Sequence, residues 1–389
     1  MPHKKVKLFL LPYPPPYAGP EIIAKEILES ETIKNKKDII FINGNIRKKN
    51  GVKGKFDLSG ILKFLGIYFK YLLVLFRIKT IFIYLASSRI GFLKDSIYIV
   101  TAWLFNKKII SQYHGSNFDN FYRVRNNIYK KWINFSLSKL DKLLILGSAI
   151  KENFQGIYRG KLHILGNGLN FEKYPPKKIY DTNSFTIFFM GHLIYSKGIY
   201  DLIDAYKILY KKYGKKINLI IAGENIGFTN TTKDFVNKKW RENFFLYASS
   251  KNKDMQKFIH NDNKWNVKYL GFVTGHEKIK VFQKSDIFVL PSYSEGFSMA
   301  CLEAMAIGLP VITTPVGAMP HLVKNKINGL ITEISNPEKL VVDIEFFINN
   351  REEVEKMGSY NAQYVRKNFN IEIIAKQLIN ILEDRDERN

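Results

Sequence analysis

The stretch PSYSEGFSMACLEAMAIGLP, from Pro291 to Pro310, sets a carboxylate in the second turn of a helix that is apolar on every side. Around Glu303 stand Met299, Ala300, Leu302, Ala304, Met305, Ala306 and Ile307, so no face of the helix is patterned for water and the element is expected to be buried. A buried carboxylate without a partner is strongly disfavoured. Glu303 therefore needs a hydrogen-bonding group, and a ligand with paired hydroxyls is one candidate. Val289-Leu290-Pro291 reads as the end of a strand, and Ser294 to Ser298 as the loop into the helix. Such a loop offers backbone N–H groups and a positive dipole end at the strand's carboxyl edge, which suits a phosphate.

Strand and helix alternate in the same way along most of the chain. Short apolar runs at Val6 to Leu11, Asp38 to Ile42, Ile81 to Leu85, Lys108 to Tyr113 and Leu143 to Leu146 are expected as strands, with helices from about Glu21 and near Ser96 to Phe105. A second series follows at Phe185 to Met190, Ile217 to Ala222, Val267 to Leu270, Ile287 to Leu290 and Val311 to Thr313. Between the two series, Phe171 to Asn183 holds a Pro-Pro pair and a polar run, the composition of a linker. The expected fold is α/β, two doubly wound Rossmann-like domains at residues 1–175 and 176–370, with a last helix and charged tail at 371–389. The cleft between such domains is the default ligand site. Residues 224–264 read as a polar insertion with one helix around Lys233 to Tyr247.

Composition narrows the function classes. At 389 residues, 46% hydrophobic and 24% charged, the chain suits two globular cores and not long disorder. Cys301 is the only cysteine, which excludes a disulfide framework and fits a reducing compartment. The run Val6 to Leu11, broken by Pro12, is too short for a signal peptide's apolar core, so a cytoplasmic location is expected. A net charge of +25 calls for an anionic partner. Without zinc-ligand spacing, an RNA-recognition signature or a helix-turn-helix pattern, nucleic acid is not the expected partner. An anionic membrane surface fits better, and one segment sharpens it: ILKFLGIYFKYLLVLFRI, Ile61 to Ile78, carries Lys63, Lys70 and Arg77 at seven-residue intervals. On a helix they form one narrow stripe amid apolar surface. The stripe suits either a helix lying in the lipid interface, peripheral at the inner face of the cell membrane, or a core helix whose cations reach water.

Glu295 and Glu303, together with Gly308-Leu309-Pro310 and Gly317, resemble the donor-site signature of the retaining GT-B glycosyltransferases of family 4, through nearly the whole C-terminal half. The resemblance implies that Glu295 lies beside the donor sugar, that the backbone of Gly296, Phe297, Ser298 and Met299 faces sugar and diphosphate, and that Glu303 binds the nucleotide ribose. Gly191-His192-Leu193 and Lys197-Gly198 resemble the element that clamps the diphosphate, with His192 standing where arginine is usual, so one directed donor replaces a bidentate fork. Ala18-Gly19 resembles the family's Gly-Gly loop, making Gly19 a candidate for backbone approach to the diphosphate. His114, closing the strand that ends at Tyr113, resembles the histidine beside the transferred sugar or acceptor, and Gly271-Phe272-Val273 the loop that receives the base. Asn167-Gly168 resembles the turn that ends the first domain, and the terminal helix is implied to cross back onto that domain.

Catalytic roles are thus expected for Glu295, His114 and Lys197, and donor contacts for Gly19, His192, Phe272, the 296–299 backbone and Glu303. The implied activity is transfer of a sugar from a nucleotide-diphosphate sugar to a glycan or lipid-linked acceptor, in surface polysaccharide, lipopolysaccharide or glycolipid synthesis. No cofactor and no metal ion are implied, and no Asp-x-Asp stands where it would hold one. A sugar-phosphate synthase or phosphorylase on the same scaffold, or a catalytically silent membrane-associated scaffold, remain the alternatives. A hydride-transferring dinucleotide enzyme is disfavoured because neither domain's first strand leads into Gly-x-Gly-x-x-Gly.

Overall fold

A computed structural model describes residues 6–16, 19–46, 58–177, 184–225, 251–260 and 262–384. The chain divides into two compact units, Met1–Asn170 with Phe369–Asn389, and Phe171–Asn368. The sequence reading sets these breaks at 175 and 370.

The first unit is built on a parallel sheet of β1 (Lys7–Leu11), β2 (Ile39–Asn43), β3 (Thr80–Leu85), β4 (Lys108–Tyr113), β5 (Lys142–Ile145) and β6 (Leu162–Ile164), in the order β2-β1-β3-β4-β5-β6. The second carries β7 (Phe185–Met190), β8 (Ile217–Ala222), β9 (Val267–Tyr269), β10 (Ile287–Leu290), β11 (Val311–Thr313) and β12 (Gly329–Ile331), also parallel, in the order β12-β11-β10-β7-β8-β9. Strands covered by helices on both faces need apolar side chains at every position, which is why KLFLL, TIFIYL, FTIFFM and IFVL are legible as strands. Edge strands depart from that pattern. LHI of β6 is partly exposed, and β12 begins at Gly329, where a Cβ would stand 2.2 Å from the Val311 carbonyl oxygen.

Several expectations are corrected. The helix placed near Ser96 begins at Arg89 and ends at Leu104, because the Ser88 hydroxyl accepts from the Gly91 N–H (3.3 Å) and caps it earlier. The cation-bearing helix spans Leu58–Leu75, so Arg77 lies beyond its end. The start of the proposed linker is anchored at two points within an otherwise exposed run: Phe171 and Tyr174 are buried, and the Arg366 guanidinium donates to the Tyr174 carbonyl at 2.7 Å. Residues 178–183 of that linker and the helix expected around Lys233 to Tyr247 lie outside the described residues. The insertion's described end, 251–259, is helical and buries Met255, Phe258 and Ile259.

The last helix, Ile371–Glu383, belongs to the first unit. The Leu169 N–H donates to the Phe369 carbonyl (2.9 Å) and the Ile371 N–H to the Leu169 carbonyl (3.1 Å). This approach requires Gly168, whose missing Cβ would stand 2.9 Å from the Ile371 Cα. Glu372 completes the tie by accepting from the N–H groups of Glu31 and Thr32 (2.8 and 2.9 Å) and from the Thr32 hydroxyl (2.7 Å). Its partial burial opposes ionisation, but these donors outweigh it and hold the carboxyl below its ordinary value. Glu372→Ala is therefore expected to cost roughly 1–2 kcal/mol in denaturant unfolding. That difference is present in full above pH 4.5, the ordinary value, and shrinks as the pH falls through the depressed one.

Candidate active site

In the second sheet the strand order reverses between β7 and β10, which are neighbours though far apart in sequence. Loops leaving the carboxyl ends of two such strands diverge and leave a crevice, the usual ligand position in a parallel sheet. The loop after β7 carries Lys197; the loop after β10 carries Glu295. They are joined by the Tyr293 N–H, which donates to the Ser196 carbonyl at 2.9 Å. Gly198 makes that junction possible: its φ is 71°, and a Cβ there would lie 1.9 Å from the Pro291 carbonyl oxygen.

The Lys197 ammonium stands 2.5 Å from Glu295 Oε1, which also accepts from the Ser292 hydroxyl at 3.0 Å. Glu295 is buried, so the ammonium and the hydroxyl together supply what water would otherwise give its charge. A third loop, after β11, braces the pair. Gly317, at φ 55°, would place a Cβ 1.7 Å from the Glu295 carbonyl oxygen, and the Ala318 N–H donates to the Gly296 carbonyl at 2.8 Å.

The helix that follows, Met299–Ile307, is capped by Ser298, whose hydroxyl accepts from the Cys301 N–H at 3.3 Å. Its residues from Cys301 onward are buried, and burial pushes the Cys301 thiol well above its ordinary range. Glu303 has its partners within the protein: Glu303 Oε1 accepts from the Lys278 ammonium at 2.7 Å and from the Tyr174 hydroxyl at 2.8 Å. Lys278 comes from the helix Gly275–Gln283.

Asp201, in the first turn of the helix Ile199–Tyr213, accepts from the Tyr293 hydroxyl at 2.7 Å. Burial pushes its carboxyl up to about 6 against the pull of that hydrogen bond. His192 is half-buried in the loop after β7. Phe272 exposes 60% of its surface, and Gly271 beside it accepts from the Gly223 N–H at 2.7 Å.

His114 and Gly19 lie in the first unit, at the carboxyl ends of β4 and β1. The His114 ring packs on Tyr84 (centroids 4.0 Å apart), with Nε2 shut away from solvent and without a hydrogen-bond partner among the described residues. Desolvation pushes this imidazole down to about 3, so it is neutral at physiological pH. Gly19 is exposed, and no described residue lies within 4 Å of the position a Cβ would take. Ala18 lies outside the described residues.

The family model for glycosyl transferases group 1 matches residues 170–364, half of the chain. The chain belongs to this family. Among curated relatives is an uncharacterized glycosyltransferase of Methanocaldococcus jannaschii, 27% identical over 50% of this chain and 44% of that protein. Another is the capsular polysaccharide biosynthesis glycosyltransferase CapM of Staphylococcus aureus, 27% identical over 66% of this chain and 59% of CapM. These matches span less than two thirds of either relative's length. Among solved structures, sucrose-phosphate synthase from Thermosynechococcus elongatus has a TM-score of 0.69 at 15% identity, covering 97% of this chain and 98% of that one. HepE of Anabaena, in complex with UDP and glucose, has a TM-score of 0.68 at 16% identity, covering 98% and 100%. At such identities the likeness speaks for the fold: each unit is an α/β domain with a six-stranded parallel sheet, as in the GT-B type.

Within this glycosyltransferase scaffold, Lys278, Tyr174, Ser292 and the Asp201–Tyr293 pair are additions that the sequence reading missed. Lys278 sits in a helix patterned for water and Tyr174 in a stretch read as linker. No local signal marks either one.

Two outcomes test this geometry. Lys278→Ala leaves Glu303 with Tyr174 alone and should lower the second unit's unfolding free energy by roughly 1–3 kcal/mol, measured by denaturant titration followed on that unit's own amide signals. The His114 imidazole resonances should not titrate between pH 5 and 8. Because an unfolded histidine takes up a proton near 6.5 and the folded one resists to about 3, its contribution to stability falls as the pH drops below 6.5.

Proposed function

We propose that the chain is a retaining, family 4 type glycosyltransferase that uses a nucleotide-diphosphate sugar. The observation that carries this reading is the pair of lysine-held carboxylates at the carboxyl edge of the second sheet, Glu295 with Lys197 and Glu303 with Lys278, on one loop–helix segment. On this reading the diphosphate draws the Lys197 ammonium away from Glu295 and meets the N–H groups at the start of the Met299–Ile307 helix. Glu303 then accepts from the ribose hydroxyls, while Lys278 keeps its charge compensated.

The reaction breaks the bond between the anomeric carbon and the leaving phosphate oxygen and forms one to the acceptor oxygen. Charge grows on the departing diphosphate as the sugar becomes oxocarbenium-like. Lys197 and the helix N-terminus meet that charge, so the proposal includes no metal ion and no cofactor. Glu295, freed from the lysine, lies beside the sugar. The acceptor loses its proton to the leaving phosphate on the same face, which keeps the anomeric configuration. His114, neutral and uncommitted at Nε2, offers the first unit's contact to sugar or acceptor.

The acceptor is proposed to be a glycan or lipid-linked glycan of surface polysaccharide, lipopolysaccharide or glycolipid synthesis. The kinship with CapM supports this, and the solved HepE complex with UDP and glucose supports a nucleotide-sugar donor. The protein is placed in the cytoplasm, peripheral at the inner face of the cell membrane, in keeping with its +25 charge.

A binding and hydrolysis screen of nucleotide sugars tests the donor, and offering a sugar phosphate beside a membrane glycolipid separates transferase from sugar-phosphate synthase. Lys197→Ala should reduce turnover roughly 10²-fold with little change in donor affinity, because the charge it meets is largest in the transition state. Unchanged turnover with a raised KM would make Lys197 a ground-state tether.

A further inference from the structure

The three crossover helices that step from β2 to β3, from β3 to β4 and from β4 to β5 all move the same way along the first sheet, so right-handed connections place them on one face of it. They are Leu58–Leu75, Arg89–Leu104 and Asn127–Leu137. Contacts confirm that they lie side by side: Tyr71 and Tyr98 pack edge to face at 5.1 Å, Phe76 and Phe105 at 5.2 Å, and Trp103 and Phe135 at 5.9 Å.

The first of these helices buries Ile67, Tyr71 and Leu75. On the opposite side, at spacings of seven and four residues, Leu62, Phe69 and Leu73 expose 62%, 62% and 60% of their surface, and Phe76, three residues on and just beyond the helix, exposes 73%. The same outer layer continues with exposed Leu93, Trp103, Leu104 and Phe105, then Ile128 and Phe135. Contiguous apolar surface on this scale marks an interaction site and not ordinary surface scatter.

Within these three helices the exposed charges are of one sign. The first and third helices contain no acidic residue, and the second contains only Asp95, which is buried. Exposed Lys63, Lys70 and Arg77 flank the apolar strip on one side, and Lys131 stands on the third helix. Apolar chains at the centre with cations at the margin match a leaflet whose acyl chains lie beneath anionic phosphates. A second copy of this chain would set cation against cation. No helix among the described residues is long and apolar enough to cross a membrane, so the layer would lie on the bilayer.

We propose that the outer face of these three helices is a lipid-docking surface that inserts the Leu62, Phe69, Leu73 and Phe76 side chains into the acyl region of an anionic leaflet, with Lys63, Lys70 and Arg77 at phosphate level. The proposal deepens the membrane part of the functional reading and does not depend on the donor site. It differs from purely electrostatic adsorption because an inserted apolar strip holds in salt.

The test is flotation of the full chain with vesicles of phosphatidylcholine containing 30% phosphatidylglycerol. Binding should persist in part at high salt and be weaker on pure phosphatidylcholine. The triple change F69S, L73S, F76S should lose binding by tenfold or more even at low salt, and K63Q, K70Q, R77Q should weaken it and flatten the salt dependence. Nucleoside diphosphate binding by both variants should match the parent, which also reports that they are folded. Quenching by brominated lipid of the Trp103 contribution, the part of the emission that W103F removes, gives a readout independent of those variants. Parental flotation by the apolar variant, complete release of the parent by salt, or no Trp103 quenching would each overturn the proposal. Dimers in solution dispersed by the same apolar change would overturn it in favour of an interface between copies. Failure to bind any nucleotide, with flotation intact, would instead count against the donor reading alone.

Discussion

Two carboxylates stand in a segment almost free of water, and each is held by a lysine from a different part of the chain. Taking a carboxylate and an ammonium out of water costs several kcal/mol per ion, and their attraction offsets this only where geometry is good and further hydrogen bonds complete the shell. Ser292 completes the shell for Glu295, and Tyr174 does so for Glu303. The demand for charge compensation therefore fixes residues 174, 197, 278 and 292–303 relative to one another. The backbone follows that demand. Gly198 and Gly317 occur where neighbouring carbonyls come too close for any side chain, and both approaches lie on the loops that carry or brace the Lys197–Glu295 pair.

The strands of the second unit are legible because they are covered on both faces. FTIFFM, INLIIA, IFVL and VIT lie at the residues expected from their largely apolar runs. The same logic explains the omissions, since an edge strand such as GLI or LHI is short and has one side open, and a three-residue run with glycine or histidine resembles a loop. Helix starts were less legible where a small residue follows the cap. Gly91 in the first turn after Ser88 hides the beginning of a helix that its own N–H helps to cap.

For the site, the residues on the loop–helix segment were legible and their partners were not. That Glu303 needs a partner follows from its neighbours in sequence; that the partner is Lys278 follows only from the packing of the Gly275–Gln283 helix against Met299–Ile307. GHEKIKVFQ has the composition of a solvated helix, and its lysine looks like any other surface cation. The expectation of a ligand hydroxyl for Glu303 is thus joined by an internal donor pair. On the proposed reading the internal pair keeps the carboxylate oriented before nucleotide arrives, which removes the reorganisation that binding would otherwise require.

The Lys63, Lys70 and Arg77 spacing shows a further limit of periodicity. A heptad of cations was visible, but a helix apolar on all its other faces gives no clue to which of them the sheet covers. Packing resolves it: the sheet and the neighbouring helix bury one strip, through Ile67, Tyr71 and Leu75. One helix face is all that a layer of this kind can cover, so the opposite apolar strip is left over by geometry and not by any shortage of core. Polar substitutions there would cost the fold little, since the side chains stand in water. Their apolar character at four positions spaced by seven, four and three residues therefore has to be explained by something outside the fold, and the cations beside this strip, on a helix without an acidic residue, favour an anionic partner.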